Sequence, residues 1–481
     1  MAFIDGTVVN VALPAIQSAF NANVIAAQWV VESYGLFLGA LILVGGSLGD
    51  HFGRRLIFVL GVVIFALASV GCGCATSIRF LIFSRCVQGG GAALMVPGSL
   101  AIISASFEQK TRGRAIGTWS GFTAITSAIG PVLGGWFVEH LSWRWVFFIN
   151  VPLAIAVIGI SLWRVPESRS ERGRRIDWIG AAVVTLGLGG VIVGLLESQE
   201  LGWRHPLVVA SLLVGIGCLA LFLFLERRSS HPMIPLDMFS SKTFSGANLL
   251  TLVLYAAIGG SFFLLPMNLI QVQGYSATAA GSALLPLILL MSVLSRWSGG
   301  LVARFGPKPP LVLGPLIVAA GFVLFALPST GASYWRSFFP AAIVLGFGMA
   351  ITVAPLTTVV MNSAGQERAG IASGINNAVA RVAGVLAIAV LGIVMLASFT
   401  IRLDREFRKL SLNPEIINEM KSHANRLGGL KVPESAGPAA AGEMKRQVAY
   451  AFVFGFRVVM IISACLSLTA SAIASLMISK T

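Results

Sequence analysis

Fourteen long apolar runs restrict this chain to very few folds. A helix needs about 20 predominantly apolar residues to cross a bilayer, and runs of about that length follow one another along the sequence. Only 11% of the 481 residues are charged, against about a quarter in soluble domains, which is too few to cover a water-exposed surface. We therefore expect an all-α polytopic membrane protein with these spans: Phe3–Phe20, Trp29–Leu48, Leu56–Ala75, Phe80–Ile103, Ala115–Val138, Trp145–Trp163, Trp178–Leu196, Leu207–Leu225, Phe244–Leu269, Ala277–Val302, Leu311–Leu327, Phe338–Val360, Ile371–Phe399 and Val448–Ile478.

The basic residues are distributed unevenly over the loops between these spans. A net charge of +15 also occurs in nucleic-acid-binding proteins, but those cluster their basic residues on one face or along one helix. Here the intervening short loops carry only Arg79, Arg144, Arg204 and Arg336, an asymmetry that follows the positive-inside rule. We expect both termini and the alternate short loops on the cytoplasmic side of the plasma (bacterial inner) membrane; those loops carry Arg54, Arg55, Lys110, Arg112, Arg114, Arg164, Arg169, Arg172, Arg174, Arg175, Arg227, Arg228, Lys242, Arg304, Lys308 and Arg368.

The chain contains an internal repeat. Gly46–Arg55 aligns with Gly299–Lys308 at an offset of 253 residues, and Gln88–Pro97 aligns with Gly346–Pro355 at an offset of 258. Such duplication is typical of secondary transporters, whose substrate site lies between the two halves. We expect an N-terminal bundle of six helices (1–165), an inserted pair of helices with cytoplasmic linkers (166–242), and a C-terminal bundle of six helices (243–481) that includes a long external loop at 400–447.

The loop from Gly46 to Arg55 has the most specific pattern in the chain. Its glycines, Gly46, Gly49 and Gly53, allow two helix ends to approach closely, and Asp50 can pair with Arg54 or Arg55 at the cytoplasmic mouth. Such pairing limits the cost of placing charge near hydrocarbon. The second copy has Ala303 in place of Asp50, so we expect the full charge pattern in only one of the two loops.

Five motifs, in order along the chain, resemble one family of membrane proteins. They are the loop just described together with Asp5–Pro14, Arg85–Ala93, 121–135 and Trp143–Pro152. They resemble signatures of the major facilitator superfamily and, within it, of the fourteen-helix drug/proton antiporter family. The resemblance implies two pseudo-symmetric six-helix bundles with two extra central helices. It also implies proton-coupled efflux of lipophilic or amphipathic compounds, as in multidrug antiporters, by alternating access.

Three points qualify what the resemblance implies. A dedicated exporter, or a symporter, of a single lipid, siderophore or metabolite stays open as the alternative function. The family usually has additional residues before the segment at Asp5, so we expect helix 1 to be truncated and Met1 not to be the natural start. Glu32 stands where many relatives have an uncharged polar residue.

Ionisable residues inside the predicted spans are candidates for proton coupling, because a charge in the middle of a bilayer is costly. Burial favours the neutral form of a carboxyl group, whereas a nearby cation favours the charged form. We hypothesise that Asp5 and Glu32 bind the coupled protons and that Arg85 tunes at least one of them. A structural role stays open for each: a tethered helix end for Asp5, an ion pair for Glu32, and a hydrogen-bond hub for Arg85. We assign no role to Arg381 and Arg457.

The motif at 121–135 ends in four residues with a clear physical meaning, Gly130, Pro131, Gly134 and Gly135. Small residues permit close helix contact, and a proline removes one helical hydrogen bond and bends the helix. The resemblance to antiporters implies that this tight, kinked contact seals a leak path during exchange.

No motif in the sequence indicates catalysis or a bound cofactor. No lysine follows a glycine, which excludes a Walker A loop for ATP, and the five cysteines lie in apolar runs without metal-site spacing. We expect no enzyme activity, no metal and no cofactor, with the proton gradient as the energy source. The expected partners are protons, a small lipophilic substrate and the lipid bilayer, and not nucleic acid. A periplasmic adaptor protein, which an exporter of a double-membraned bacterium can use, has no readable docking signature here.

Overall fold

The computed structural model of the chain is helical in nearly all of its described residues. These are residues 1–107, 122, 126, 129–169, 177–229, 232, 234–364, 369–408, 417, 419–420, 423–430, 432 and 438–479. Within them, twelve helical segments are long and apolar enough to cross a membrane, and each corresponds to one predicted span. The protein is therefore an all-α polytopic membrane protein.

The count of fourteen spans stays a prediction. The first predicted span is a helix, Ala2–Phe20, but it is not among the twelve segments. Half of the fifth predicted span lies outside the described residues, as do Gly121 and the basic residues at 110–114, 172–175 and 368, which we assigned to cytoplasmic loops.

Two long helices of the N-terminal bundle begin at residues whose side chains cap them. Asn23 and Ser77 accept hydrogen bonds from the backbone N–H groups of Ala26 and Phe80, at 2.8 and 3.2 Å, which satisfies donors that the first helical turn leaves unpaired. In the described residues the bundle comprises α1 (Ala2–Phe20), α2 (Val24–Phe52), α3 (Arg54–Gly73), α4 (Ile78–Ser106), α5 (129–140), α6 (Trp145–Phe148) and α7 (Asn150–Arg164).

Close backbone contacts hold α4 between α2 and α3. A Cβ atom on Gly45 of α2 would lie 2.0 Å from the carbonyl oxygen of Ala93, and one on Gly91 of α4 would lie 2.7 Å from the backbone nitrogen of Phe65 in α3. Because only glycine fits at these two positions, the three helices pack closely enough to enclose polar side chains between them.

The inserted pair is a tight hairpin of α8 (Trp178–Leu201) and α9 (Pro206–Arg228). Asp177 caps α8, accepting a hydrogen bond from Gly180 N at 2.7 Å. A Cβ on Gly215 would lie 2.5 Å from the backbone nitrogen of Val191, so the two helices are in backbone contact. Helix α8 packs against α2 and against α16 (Ala369–Phe407). Helix α9 exposes many apolar side chains, such as Leu213 at 67%, as expected for a lipid-facing helix.

The C-terminal bundle repeats the packing of the N-terminal bundle. The glycines that the sequence repeat aligns, Gly53 and Gly306, both have positive φ, 124° and 79°, in loops that join consecutive helices. The helices of this bundle are α10 (Lys242–Met267), α11 (Ala277–Ser282), α12 (Leu285–Gly299), α13 (Leu301–Phe305), α14 (Lys308–Ala326), α15 (Phe339–Ser363), α16 and α17 (Pro438–Met477); π-helical turns at Asn268–Val272 and Tyr334–Phe338 continue α10 and precede α15.

Helices α16 and α17 extend beyond the predicted spans. Residues 400–407 and 438–447, which we expected in the long external loop, belong to these two helices. Leu403, Phe407 and Met444 in these extensions are fully buried. The prediction ended each span where charged residues begin, but a helix can continue outside a bilayer when its apolar side chains pack against other elements.

Candidate functional site

A cluster of polar side chains is enclosed within the N-terminal bundle, between α1, α3, α4 and α7. Asp5 of α1 and Arg85 of α4 form an ion pair at its centre, with Arg85 Nη1 2.5 Å from Asp5 Oδ2. Both residues are buried, with 0% and 1% of their surface exposed. Two charges at this depth are stable only when they are paired and their remaining polar atoms are hydrogen-bonded.

Three neutral side chains complete the cluster. Gln88 accepts a hydrogen bond from Arg85 Nη1 at 2.6 Å, and its Nε2 donates to Asp5 Oδ1 at 2.9 Å and to Ser69 Oγ at 2.6 Å. Asn150 Nδ2 donates to the same two oxygens, each at 3.2 Å. The carboxylate of Asp5 therefore accepts hydrogen bonds from three side chains, and the network joins four helices.

Arg85 also connects the cluster to α2. Its Nε donates to the carbonyl oxygen of Val30 at 3.0 Å, and its guanidinium lies 4.3 Å from the centre of the Tyr34 ring, within the range of a cation–π interaction. Most of the guanidinium is thus engaged by protein groups of the N-terminal bundle.

The sequence identified only part of this cluster. Asp5 and Arg85 were predicted as site residues, and the structure brings them together. Gln88 and Asn150 lie in motifs that we noted without giving these two residues a role. Each is an amide side chain inside an apolar span, and this feature could have identified them as site residues. Ser69 lies in a long apolar run, where a single serine carries no comparable signal.

Glu32, the second predicted carboxyl, lies outside this cluster. It is fully buried, and in the described part of the chain neither of its carboxyl oxygens has a hydrogen-bond partner. The structural ion pair that we considered for it is therefore not found among the described residues. The structure brings Arg85 next to Asp5 and not next to Glu32.

The face of α2 that carries Glu32 packs against α16 of the C-terminal bundle. Gln28, one turn before Glu32, donates to the carbonyl oxygen of Ile388 at 3.0 Å. At Gly35, one turn after it, a Cβ would lie 2.6 Å from Val385 Cγ2. Residues three and four apart lie on one helix face, so Glu32 lies at the α2/α16 interface, between the two bundles.

The loop Gly46–Arg55 contains the predicted charge pair of Asp50 with Arg54, whose Nη2 and Oδ1 atoms are 2.8 Å apart. Gly53 has a φ of 124°, a conformation that favours glycine. Gly46 and Gly49 do not mediate the close helix contact that we expected of them, because a Cβ there would meet other atoms only at 3.7 and 3.9 Å. Gly45, next in the chain, makes that contact instead.

Glu167 is a functional candidate that the sequence did not reveal. Its carboxylate accepts hydrogen bonds from the backbone N–H groups of Arg55 and Leu56, at 3.0 and 3.1 Å, and so caps the first turn of α3. It also lies 3.8 Å from Arg55 Nε, and Arg55 Nη1 donates to the carbonyl oxygen of Val165. Arg55 therefore pairs with Glu167 and not with Asp50.

The antiporter-like motif on α5 contacts α1 through two of its glycines. A Cβ on Gly130 would lie 2.2 Å from Thr7 Oγ1, and one on Gly134 would lie 2.5 Å from Val8 Cγ2. Any side chain at either position would push α5 away from α1.

The same segment of α5 contacts α11 of the C-terminal bundle on its other side. A Cβ on Gly135 would lie 2.3 Å from the carbonyl oxygen of Ala277, and one on Gly281 would lie 2.0 Å from the carbonyl oxygen of Pro131. We call this backbone contact the α5/α11 interface. It lies at the end of the bundles that carries Phe20 and His140, which the charge distribution predicts to be external.

Glu139 adds a polar contact to the α5/α11 interface. Its Oε2 accepts a hydrogen bond from the backbone N–H of Thr278 at 3.2 Å. Hydrogen bonds from Thr278 and Ser276 lower the pKa of Glu139 from its ordinary value of 4.5, so the carboxylate is charged at neutral pH. The α5/α11 interface thus contains one anionic group.

Two arginines cap corresponding helices of the two bundles. Arg144, at the start of α6, donates to carbonyl oxygens at the end of α3, and Arg457 of α17 donates to those at the end of α14. The acceptors are Gly73, Ala75, Leu327 and Pro328, at 2.7, 2.8, 3.2 and 3.3 Å. A cation at a helix C-terminus stabilises it, which gives Arg457 a structural role.

Comparison with known proteins identifies relatives over most of the chain. Residues 1–180 and 168–388 match the Major Facilitator Superfamily. The multidrug resistance protein Stp of Mycobacterium tuberculosis (strain CDC 1551 / Oshkosh) is 34% identical over 482 residues, which cover 96% of this chain and 87% of Stp. The tetracenomycin C resistance and export protein of Streptomyces glaucescens is 35% identical over 402 residues, covering 82% of this chain and 73% of that protein.

A solved structure shares the fold. The crystal structure of a bacterial homologue of the human lysosomal transporter Spinster, in an inward-facing and unoccupied conformation, aligns with a TM-score of 0.66 over 98% of this chain and 94% of that one. At 19% sequence identity, this likeness concerns the fold alone.

Proposed function

We propose that this chain, which belongs to the Major Facilitator Superfamily, is a proton-coupled antiporter that exports lipophilic or amphipathic drugs by alternating access. It is an integral membrane transporter of small molecules. Drug efflux is supported by relatives that bear the names of drug-resistance and export proteins. Proton coupling is supported by the chain's own residues, and no ATP or other cofactor enters the proposal.

The observation that carries the proposal is the position of Glu32. A charged carboxylate without hydrogen-bond donors is costly in an apolar contact, whereas a neutral carboxyl group is much less so. Glu32 lies between α2 and α16, one from each bundle, so a movement of one bundle against the other would open the contact to water, which solvates charge. The same group can therefore bind a proton in one arrangement and release it in another.

Asp5 and Arg85 have a different role from Glu32 in this proposal. Their network keeps α1, α3, α4 and α7 together as a unit that can move against the C-terminal bundle. Arg85 contacts Asp5 directly, and we propose Asp5 as a second proton site that acts only when this network rearranges.

Two further regions fit alternating access. At the predicted external end, the α5/α11 interface closes the space between the bundles by backbone contact. At the other end, Asp50–Arg54 and Arg55–Glu167 fix the loop between α2 and α3. We propose that these regions act as external and cytoplasmic gates, in a protein of the plasma membrane with both termini in the cytoplasm.

Transport in proteoliposomes tests the proposal. The purified full-length protein is reconstituted, a pH gradient is imposed, and the movement of ethidium, tetraphenylphosphonium and fluorescein is measured. We expect at least one lipophilic compound to accumulate against its gradient, and this accumulation to stop when an uncoupler collapses the pH gradient. Accumulation that continues unchanged after the uncoupler is added would contradict proton coupling.

A matched pair of variants tests the role of Glu32. Glu32→Gln should abolish proton-driven accumulation but leave exchange of substrate across the membrane, since the cavity and the gates are unchanged. Glu197→Gln, a control at the end of α8, should behave like the original protein. Normal accumulation by Glu32→Gln would remove Glu32 from the mechanism.

A further inference from the structure

A cavity of about 480 Å³ lies between the inserted pair and the two bundles. Helices α2, α8, α9, α10 and α16 all contribute to its walls, and none of the described residues that line it is charged. Its apolar wall includes Leu188 of α8, Phe222 of α9, Leu252 of α10 and Val379 of α16. The volume is within the range of small-molecule binding sites, which are mostly apolar.

The two polar side chains of this wall are already engaged by the protein. Ser245 Oγ donates to the carbonyl oxygen of Phe239 at 2.5 Å. Asn248 Nδ2 donates to the carbonyl oxygen of Phe244 at 2.9 Å, and its Oδ1 accepts from Asn376 at 3.1 Å. The cavity therefore offers a ligand mainly apolar surface, which favours uncharged, lipophilic groups.

The cavity adjoins the α2/α16 interface. Gly39 lines it from α2 and Val382 from α16, and Gly39 is seven residues, about two turns or ~10 Å, beyond Glu32 on α2. Because helices of both bundles and of the inserted pair form the walls, any movement of one bundle against the other changes the shape of the cavity. Such a change of shape couples the binding of a ligand to the state of the protein, because the affinity of the cavity then differs between states.

We propose that this cavity binds the lipophilic part of the exported compound and that the inserted pair is its outer wall. The inference rests on the proposed function and goes further, because it assigns a site and a ligand chemistry: uncharged aromatic or aliphatic groups. It also gives the two inserted helices a role in binding.

Photolabelling tests the inference. The probe is benzophenone, an uncharged lipophilic ketone that reacts on irradiation and prefers methionine. It is added to proteoliposomes of the full chain. Labelling of Met477, which lines the cavity, is then measured by mass spectrometry. We expect saturable labelling. Leu188→Trp, which fills the cavity, should weaken it by about tenfold. The matched control on the same helix is Leu186→Trp, at a side chain that is 62% exposed, and it should have no effect.

The outcomes separate this inference from the proposed function. Labelling that rises linearly with benzophenone and is unaffected by Leu188→Trp would overturn the inference. Val379→Phe fills the cavity from α16 and should act like Leu188→Trp, so the test does not depend on one variant folding. Glu32→Gln should keep saturable labelling, because it removes coupling and not binding. Proton-driven transport is measured in a separate experiment, so its result does not depend on the labelling result.

Discussion

Asp5 and Glu32 are both fully buried carboxylic acids, but the protein surrounds them in opposite ways. Asp5 accepts hydrogen bonds from Arg85, Gln88 and Asn150, whereas Glu32 has no partner in the described part of the chain. Asp5 lies among helices of one bundle, and Glu32 lies between helices of two bundles. A saturated network suits a region that keeps its shape, and an unpartnered acid suits an interface that changes.

The contrast extends to the packing around each acid. Inside the N-terminal bundle, contacts at Gly45 and Gly91 bring the backbones of α2, α3 and α4 close together. At the α2/α16 interface, the side chain of Gln28 donates a hydrogen bond to the carbonyl oxygen of Ile388, whereas Glu32, one turn further, has no hydrogen-bond partner in the described residues. We infer that the N-terminal bundle moves as one body. The α2/α16 interface is then the region whose contacts change when one bundle moves against the other.

The largest expected effect comes from breaking the charge pair. Arg85→Met would leave Asp5 buried without its counter-charge, and removing one partner of a buried pair costs about 3–5 kcal/mol of stability. Thermal unfolding in detergent measures the loss. The double variant Asp5→Asn with Arg85→Met removes both charges and should recover most of it. A loss below about 1 kcal/mol in the single variant would mean that the pair is not a structural element of the bundle.

A comparison of the two acids sharpens the contrast directly. Asp5→Asn strands the buried charge of Arg85 and should destabilise the protein by several kcal/mol, whereas Glu32→Gln replaces one unpartnered polar group by another and should change stability by less than about 1 kcal/mol. The same unfolding measurement checks both. Equal losses in the two variants would show that Glu32 has a partner as essential as Arg85 is to Asp5.

The sequence was sufficient to find both acids but not to distinguish them. Hydropathy is averaged over neighbours along the chain, and this average places both Asp5 and Glu32 inside predicted spans. Which of them meets Arg85 depends on how helices are arranged around one another, and one sequence carries no such information. For the same reason Ser69, which completes the cluster from α3, was not anticipated.

Local interactions were predicted more successfully than distant ones. Asp50 pairs with Arg54 four residues away, so spacing along the chain was informative by itself. Glu167 caps α3 from more than a hundred residues away, and no local pattern marks it. The extensions of α16 and α17 were missed because hydropathy measures suitability for lipid and does not register apolar side chains that pack outside it.

A smaller effect is expected at the α5/α11 interface. Gly135→Ala would place a methyl group against the carbonyl oxygen of Ala277, and such overpacking costs about 1–3 kcal/mol. Because the cost concerns the contact between bundles, we expect a proton leak across proteoliposomes and little change in unfolding temperature. Gly159→Ala on α7, where a Cβ meets no atom within 4 Å, is the control. An unchanged leak would show that this contact does not seal the closed state.

The smallest expected effect concerns Glu139 and pH. Its hydrogen bonds to α11 lower its pKa below 4.5, so its contribution to the α5/α11 interface is fully present above that value and is lost as pH falls through the lowered pKa. Spin labels at Leu141 and Ala279 report the separation of the two helices by electron paramagnetic resonance. We expect the distance to be constant near neutral pH and to lengthen in acid.

Two variants identify the group responsible for this acid response. Glu139→Gln lacks the carboxylate that accepts a hydrogen bond from Thr278, so its distance should no longer lengthen in acid, down to about pH 3.5. Glu443→Gln changes another acid whose pKa is lowered, in that case by Arg446, and should respond to acid like the unsubstituted protein. If the label distance in Glu139→Gln still lengthens in acid, the pH dependence comes from the interior of the bundle. That result would contradict the contrast between an interior that keeps its shape and an interface that changes.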